Sequence, residues 1–198
     1  MPHTQLFPLL TACTLVTWLV SSCGGGTGSQ AQAQAAQQCG ASVCVTTLAG
    51  SGEFGTTDGT AQTAQFFMPH AVAVDDSSRV HVADFGGNNQ TRLIADGQVS
   101  TIPEDPIDFP HPSDVATDAS GNKFVADTFG NRILKITPDG ETSVIAGAGE
   151  AGDQDGDGAS ASFSLPSGLA FDRAGVLFVA DMGNRKIRKI TFAGASGA

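Results

Sequence analysis

The stretch ADMGNRKIRKI (residues 180–190) has a near copy, ADTFGNRILKI, at residues 126–136. A catalytic motif normally occurs once in a chain, whereas a structural unit that cannot bury its own faces occurs several times. The duplication therefore indicates a repeat protein, and the sequence around each copy gives the length of the repeat.

Three longer segments align over their whole length: MPHAVAVDDSSRVHVAD, HPSDVATDASGNKFVAD and LPSGLAFDRAGVLFVAD, which end at Asp84, Asp127 and Asp181. These ends lie 43 and then 54 residues apart. A glycine-rich segment accounts for the longer interval, because AGAGEAGDQDGDGASASFSLP (146–166) matches AGSGEFGTTDGTAQTAQFFMP (49–69). The interval between the first two repeats has PEDPIDFPHP instead.

Each repeat contains four short segments with the pattern of β-strands. AVAVD and VHVAD are short runs with β-branched residues that recur with period two, and DDSS, ASGN and DRAG are turn sequences. RILKI or KIRKI supplies a third strand, and VSTIPE or TSVIAG a fourth. Four antiparallel strands in roughly 40–45 residues are typical of one blade of a β-propeller. The sequence therefore predicts an all-β propeller.

The order of motifs in the repeat resembles the NHL repeat, over roughly residues 45–192. The family pattern is Pro-x-Gly-hydrophobic-Ala-hydrophobic-Asp, then Gly-Asn and Val-Ala-Asp, then Asn-x-Arg-Ile-x-Lys-Ile, whose last part this chain matches approximately with NRILKI (131–136) and NRKIRKI (184–190). The resemblance implies a propeller that is mostly six-bladed in this family and usually serves as a binding platform, with a few enzymes among its relatives. We expect the repeated Asp and Asn residues to make hydrogen bonds at turns and corners.

Counting strands gives about three blades in this chain. VTTLAG (45–50) is predicted to be a strand of the fourth type, two full blades follow, and the last blade has three strands. Propellers typically have four to eight blades. Either two chains close one ring as a homodimer, each N-terminal strand completing the last blade of its partner, or the chain is a fragment of a longer propeller, which the ending FAGASGA favours.

The N-terminal third differs from the rest in charge. All 30 charged residues lie at or after Glu53, and the net charge is −10. This acidic balance argues against binding to nucleic acid or directly to an anionic membrane. Residues 1–22 are predicted to be a signal peptide. LVSSCGGG resembles a bacterial lipobox with Cys23 as the lipidated residue, which predicts a periplasmic or outer-membrane lipoprotein held to the membrane only by lipid. An ordinary cleaved signal and secretion is the alternative.

Residues 23–44 are predicted to be a flexible linker, because GGGTGSQAQAQAAQQ has no charge and no periodic apolar face. Cys39 and Cys44 are close together in an exported chain, so we expect a disulfide between them. The propeller segment is assigned to residues 45–198.

An acidic turn, DQDGDG, is the candidate metal site. Asp153, Asp155 and Asp157 alternate as in the first half of a calcium-binding loop, but Ser164 occupies the position where such a loop needs a bidentate Glu. A solvated acidic turn is therefore the expected structure, with calcium as the alternative. The basic run RKIRK (185–189) is likewise expected to be a solvated strand face.

Three polar residues near the starts of the first strands are candidates for ligand binding. His70 and Ser167 follow the first and third aligned prolines, and His111 precedes the second. These positions would lie at the mouth of a propeller channel, where ligands commonly bind. Two histidines alone are weak evidence for zinc, so no cofactor is expected. The predicted function is non-catalytic recognition of a protein, peptide or glycan. The alternative, implied by the family's enzymes, is a lactonase or lyase with a channel metal.

Overall fold

A computed structural model describes residues 43, 45–87, 89–102 and 111–192. The predictions for the signal peptide, Cys23, Cys39 and Cys44 lie outside the described residues. All regular structure within these ranges is β-strand, and no helix there is long and apolar enough to cross a membrane. In chain order the strands are β1 (Gly59–Thr60), β2 (Pro69–Val74), β3 (Val80–Asp84), β4 (Gln90–Ala95), β5 (Gln98–Thr101), β6 (Pro112–Thr117), β7 (Lys123–Asp127), β8 (Arg132–Ile136), β9 (Thr142–Ala146), β10 (Pro166–Phe171), β11 (Leu177–Asp181) and β12 (Lys186–Ile190).

The strands form three antiparallel sheets, which are the blades of a partial propeller. Blade 1 has the order β2-β3-β4-β5, with β1 added outside β5. Blade 2 is β6-β7-β8-β9, and blade 3 is β10-β11-β12. The first strand of the middle blade, β6, contacts the first strands β2 and β10 of both neighbours. The predicted all-β propeller of about three blades is confirmed.

Hydrophobic side chains fill the spaces between consecutive blades. Val125 and Phe124 are neighbours in β7 and point to opposite faces of blade 2, because successive residues of a strand alternate in direction. The cluster between blades 1 and 2 contains Ala83, Val115, Val125, Leu134 and Ile136, with Ala71 and Ala73 at its margin. The cluster between blades 2 and 3 contains Ala116, Phe124, Ala126, Ile133, Ala146, Phe163, Leu177 and Val179, flanked by Ile145, Leu169, Phe171, Ile190 and Phe192.

The aligned aspartates close turns and corners, as predicted. Asp75, Asp118 and Asp172 each follow a first strand and accept amide hydrogen bonds from the residues two and four positions further on, at 2.9–3.0 Å. This is the geometry by which an Asp side chain stabilises a turn.

The aspartates at the ends of the second strands are buried and link each blade to the loops at its corner. Asp84 accepts hydrogen bonds from the amides of Phe67 and Met68, at 2.9–3.0 Å. Asp181 accepts one from the amide of Ser164 at 2.8 Å. A buried carboxylate needs such partners to offset its lost hydration. The structural role predicted for these residues is confirmed.

The glycine-rich segment before blade 1 folds back onto that blade and is anchored by one arginine. Arg92 of β4 is fully buried and donates to the carbonyl of Gln65 and to Asp58, both at 2.8 Å. Its guanidinium lies 5.2 Å from the ring centroid of Phe66. The segment also adds β1 to the outer edge of β5, a pairing that the sequence did not predict.

The segment before blade 3 is anchored in the same way. Arg188 is paired with Val179 of the second strand, as Arg92 is paired with Val82 in blade 1. The two arginines therefore occupy the same rung, that is, the same paired position between the second and third strands. It donates to Asp155 at 2.6 Å and to the carbonyl of Ser162 at 3.0 Å. In blade 2, where the glycine-rich segment is missing, a buried Leu134 takes this rung.

Two sequence predictions are wrong in their details. Residues 185–189 are not uniformly a solvated face, because the glycine-rich segment covers Arg188 and leaves its side chain only 9% exposed. Residues 45–50 do not form a strand, and Val45 is 93% exposed. A strand needs a ladder partner for its backbone groups. The edge of β12, which this segment was expected to complete, has no strand beside it among the described residues.

Candidate ligand-binding face

Each blade begins with a β-bulge. In blades 1 and 3 the bulged residue is one of the ligand-binding candidates predicted from the sequence, and in blade 2 it is the residue at the corresponding position. The pairing of each first strand with its second shifts register after the aligned proline. The extra residues are His70, Ser113 and Ser167. Bulges redirect side chains and are frequent beside binding sites. Ser113 was missed in the sequence, although its position directly after an aligned proline was a usable signal.

A chain of hydrogen bonds joins the three bulges across the blades. His70 Nδ1 lies 2.7 Å from the carbonyl oxygen of Ser113 and therefore donates to it. Ser113 Oγ donates to the carbonyl of Ser167 at 3.2 Å. Thr128 Oγ1 lies 2.6 Å from Ser113 Oγ and 2.8 Å from the carbonyl of Pro166. The structure thus brings His70 and Ser167 to one line of bulges, with Ser113 between them.

The second candidate histidine belongs to a group of four rings, which we call the ring cluster: His70, Phe85, His111 and Phe129. The ring of His111 lies 5.0 Å from that of Phe85 and 4.4 Å, edge to face, from that of Phe129. The ring of Phe85 also lies 6.0 Å from that of His70. These separations are typical of favourable aromatic contacts.

The ring cluster is accessible and has unused hydrogen-bonding capacity. Phe129 is 54% exposed. The Nδ1 atom of His111 is buried and has no hydrogen-bond partner among the described residues. Phe85 directly follows the end of β3 and Phe129 lies two residues after the end of β7, so corresponding corners of consecutive blades carry them. Sequence analysis missed both phenylalanines because they lie in turns with no apolar period.

A carboxyl group lies next to the bulge of blade 2. Asp114 accepts hydrogen bonds from the amides of Leu169 at 2.7 Å and Val115 at 2.8 Å. Burial raises the pKa of Asp114, although these two amides and the nearby His70 favour its charged form. Since the amide of Leu169 belongs to blade 3, Asp114 also joins two blades.

The acidic turn is paired with cations on β12. Asp153 accepts a hydrogen bond from Lys186 at 2.8 Å, and this contact lowers the pKa of Asp153. Asp155 is bound by Arg188, and the backbone carbonyl of Asp157 accepts the amide of Ala161 at 2.8 Å. Among the described residues no three His, Cys, Asp or Glu side chains are placed to hold a metal ion together. Calcium and zinc binding stay untested predictions.

Comparison with known proteins identifies the fold. No family model matches the sequence, and no curated protein matches it. The chain is similar to the solved structure of a protein of unknown function from Bacteroides thetaiotaomicron, at 24% identity and a TM-score of 0.54 over 63% of this chain and 33% of that one. It is similar to a streptogramin B lyase at 12% identity and a TM-score of 0.50, covering 68% of this chain and 41% of the lyase.

A third similar structure is virginiamycin B lyase from Staphylococcus aureus, at 18% identity and a TM-score of 0.47, covering 72% of this chain and 47% of that one. The chain therefore spans less than half the length of each of these three proteins. At these identities the likeness is one of fold, a β-propeller, and it extends neither to the activity of the two lyases nor to a particular repeat family.

Proposed function

We propose that the chain is a non-catalytic NHL-type binding protein of the cell envelope, which holds a protein, peptide or glycan ligand on the ring cluster. The observation that carries the proposal is the exposed ring of Phe129 packed edge to face on His111. Aromatic side chains supply most of the binding energy in compact recognition sites, and a few polar groups beside them orient the ligand.

The polar groups around the ring cluster suit recognition better than catalysis. His70 is bound through Nδ1 to a carbonyl, which gives it a fixed orientation and occupies that nitrogen. Asp114 is held by the backbone amide of Val115 in its own strand and by that of Leu169 in β10 of the neighbouring blade. Among the described residues, neither is hydrogen-bonded to a hydroxyl or thiol that it could activate as a nucleophile.

The location at the envelope is part of the proposal and rests on the uncharged N-terminal third of the sequence, with lipid attached at Cys23. The lactonase or lyase with a channel metal is the rival. It requires bound metal in the purified chain, so elemental analysis of the protein used for binding distinguishes the two.

The test is a binding screen with the full chain against a glycan array and a peptide-display library. Any ligand selected is then measured with Phe129→Ser and with Phe54→Ser. Phe54 is a matched control, because it is an aromatic residue that is 80% exposed and makes no contact with the ring cluster. Loss of an aromatic anchor should weaken binding at least about 10-fold.

The control variant should bind like the wild type. Equal binding by Phe129→Ser and the wild type would refute the assignment to the ring cluster. Stoichiometric metal together with failure of every glycan and peptide probe would refute the binding function and favour the enzyme.

A further inference from the structure

The two end blades expose faces that correspond to faces buried inside the chain. The first three strands of blade 2 pack on blade 3 through the side chains of Ala116, Phe124, Ala126 and Ile133. The strand registers assign their equivalents in blade 3, which are Ala170, Phe178, Ala180 and Ile187. Phe124 and Ile133 are 2% and 0% exposed, whereas Phe178 and Ile187 are 38% and 74% exposed. Blade 3 therefore presents a face of the kind that binds a following blade.

Blade 1 presents the opposite kind of face. In blade 3, Leu169 and Phe171 of the first strand pack toward blade 2. The registers make Val72 and Val74 their equivalents in blade 1. These two valines are 64% and 60% exposed. The packing of blade 3 on blade 2 is thus a template, within this chain, for the packing of a blade 1 on a blade 3.

The exposed edge of β12 matches the segment that failed to form a strand. In blade 2 the third strand is covered by β9, with Ile133 opposite Ala146 and Ile136 opposite Thr142. The aligned glycine-rich segments make residues 45–49 the equivalent of β9. The same register would place Ala49 opposite Ile187 and Val45 opposite Ile190. Ile187 and Val45 are both largely exposed.

We propose that the exposed face of blade 3 and the edge of β12 bind blade 1 and residues 45–49 of a second copy of this chain. Each chain has one face of each kind, so the contact joins two different surfaces and is heterologous. Heterologous contacts form a closed ring when the rotation from one chain to the next returns to the first chain. The described residues form three blades, so two copies would supply six, a number within the four to eight blades that propellers typically have.

The proposal does not depend on the binding function, but it completes the candidate site. The line of bulges lies on the first strands, which surround the channel when a propeller closes, and the ring cluster contacts it through His70. One chain supplies an arc of this wall, and the second copy supplies the remainder by two-fold symmetry. A closed ring would hold two copies of His70 and His111 around one channel.

The test is the mass of the full chain in mild detergent, determined by analytical ultracentrifugation with the detergent contribution subtracted. The wild type should sediment as two chains. Ile187→Asp and Val72→Asp each place a charge on one side of both contacts of the proposed dimer and should raise the dimer dissociation constant on the order of 100-fold. Both side chains are mostly exposed in the single chain, so each variant should fold, as circular dichroism will check.

Val144→Asp is the matched control. Val144 is 44% exposed on β9 of blade 2, which has a neighbouring blade on each side, so this variant should remain dimeric. A mixture of Ile187→Asp with Val72→Asp leaves one unaltered contact between the two different chains and should recover dimers that neither variant forms alone.

Three results would overturn the proposal. A monomeric wild type would show that the faces are free or are covered by further blades of a longer chain. Equal dissociation of the control would show a nonspecific effect of charge. Dimers that survive both face variants would show that the chains associate through another surface. None of these results bears on ligand binding by the ring cluster, which is measured separately.

Discussion

Removal of the Arg92 side chain should detach the glycine-rich segment from blade 1 and destabilise the domain. The guanidinium is completely buried and holds the carbonyls of Gln65 and Thr57 at 2.8 and 3.2 Å. It also lies 3.6 Å from the buried carboxylate of Asp84. In Arg92→Ala these acceptors lose a charged donor, while the space left behind adds a packing cost.

The expected loss of unfolding free energy is about 3–5 kcal/mol, the usual cost of removing one partner from a buried ion pair. The contact with Asp58 adds little to this figure, since that side chain is 49% exposed and water can replace the arginine. Arg79→Ala is the control. Arg79 binds Asp75 at 2.7 Å but is 43% exposed, so its removal should cost about 1 kcal/mol or less.

Urea unfolding gives the free energies, and hydrogen exchange locates the change. The amide of Gly50 donates to the carbonyl of Ala61 at 2.7 Å, and the amide of Ala61 donates to that of Gly97 at 2.8 Å. Both amides should lose protection in Arg92→Ala and keep it in the control. Arg92→Leu, which copies the residue of blade 2 at this rung, should recover part of the stability without restoring that protection. The reasoning is refuted if Arg92→Ala keeps both amides protected and costs less than about 1 kcal/mol.

Three further predictions concern single side chains. Phe124→Ala should cost about 3–5 kcal/mol in urea unfolding because Phe124 is buried between blades, and Phe178→Ala, at the equivalent but exposed position, should cost less than half as much; equal costs would contradict the assigned faces. Burial alone would raise the pKa of Asp75, but hydrogen bonds from His81 and Arg79 lower it below its usual value. The wild type should therefore be more stable to unfolding than Asp75→Asn above about pH 4, and this difference in stability should decline below that pH. A difference that is unchanged at acid pH would contradict this. Calcium should leave the thermal midpoint unchanged because Arg188 already binds Asp155, and a saturable increase would establish the calcium site.

The repeated strands could be predicted because their signals are local. The alternation in KIRKI and the turn before it predict a strand at residues 186–190, and β12 is found there. The aligned turn aspartates were assigned correctly for the same reason, since an Asp side chain bonds to amides only a few residues away.

The prediction of a fourth-type strand at residues 45–50 was wrong because a strand depends on a neighbouring strand to pair with, which the local sequence does not contain. The aligned residues of β9 pair with the edge of β8 and form a strand. The contacts of Ser113 and Asp114 with blade 3 were equally beyond local signals, because they depend on how consecutive blades are placed. A candidate site made at the junction of blades therefore emerges only from the packed structure.

Comparison of the repeats with one another could have predicted the role of the acidic turn. The two glycine-rich segments share one aspartate, Asp58 in the first and Asp155 in the second, and the blades that follow them share an arginine at one rung. Blade 2 lacks the segment and has Leu134 at that rung. Segment, aspartate and arginine thus occur together or not at all within this chain, which indicates that they form one structural unit. The aspartate at the centre of DQDGDG is accounted for by its arginine, and any metal site there would have to compete with that pairing.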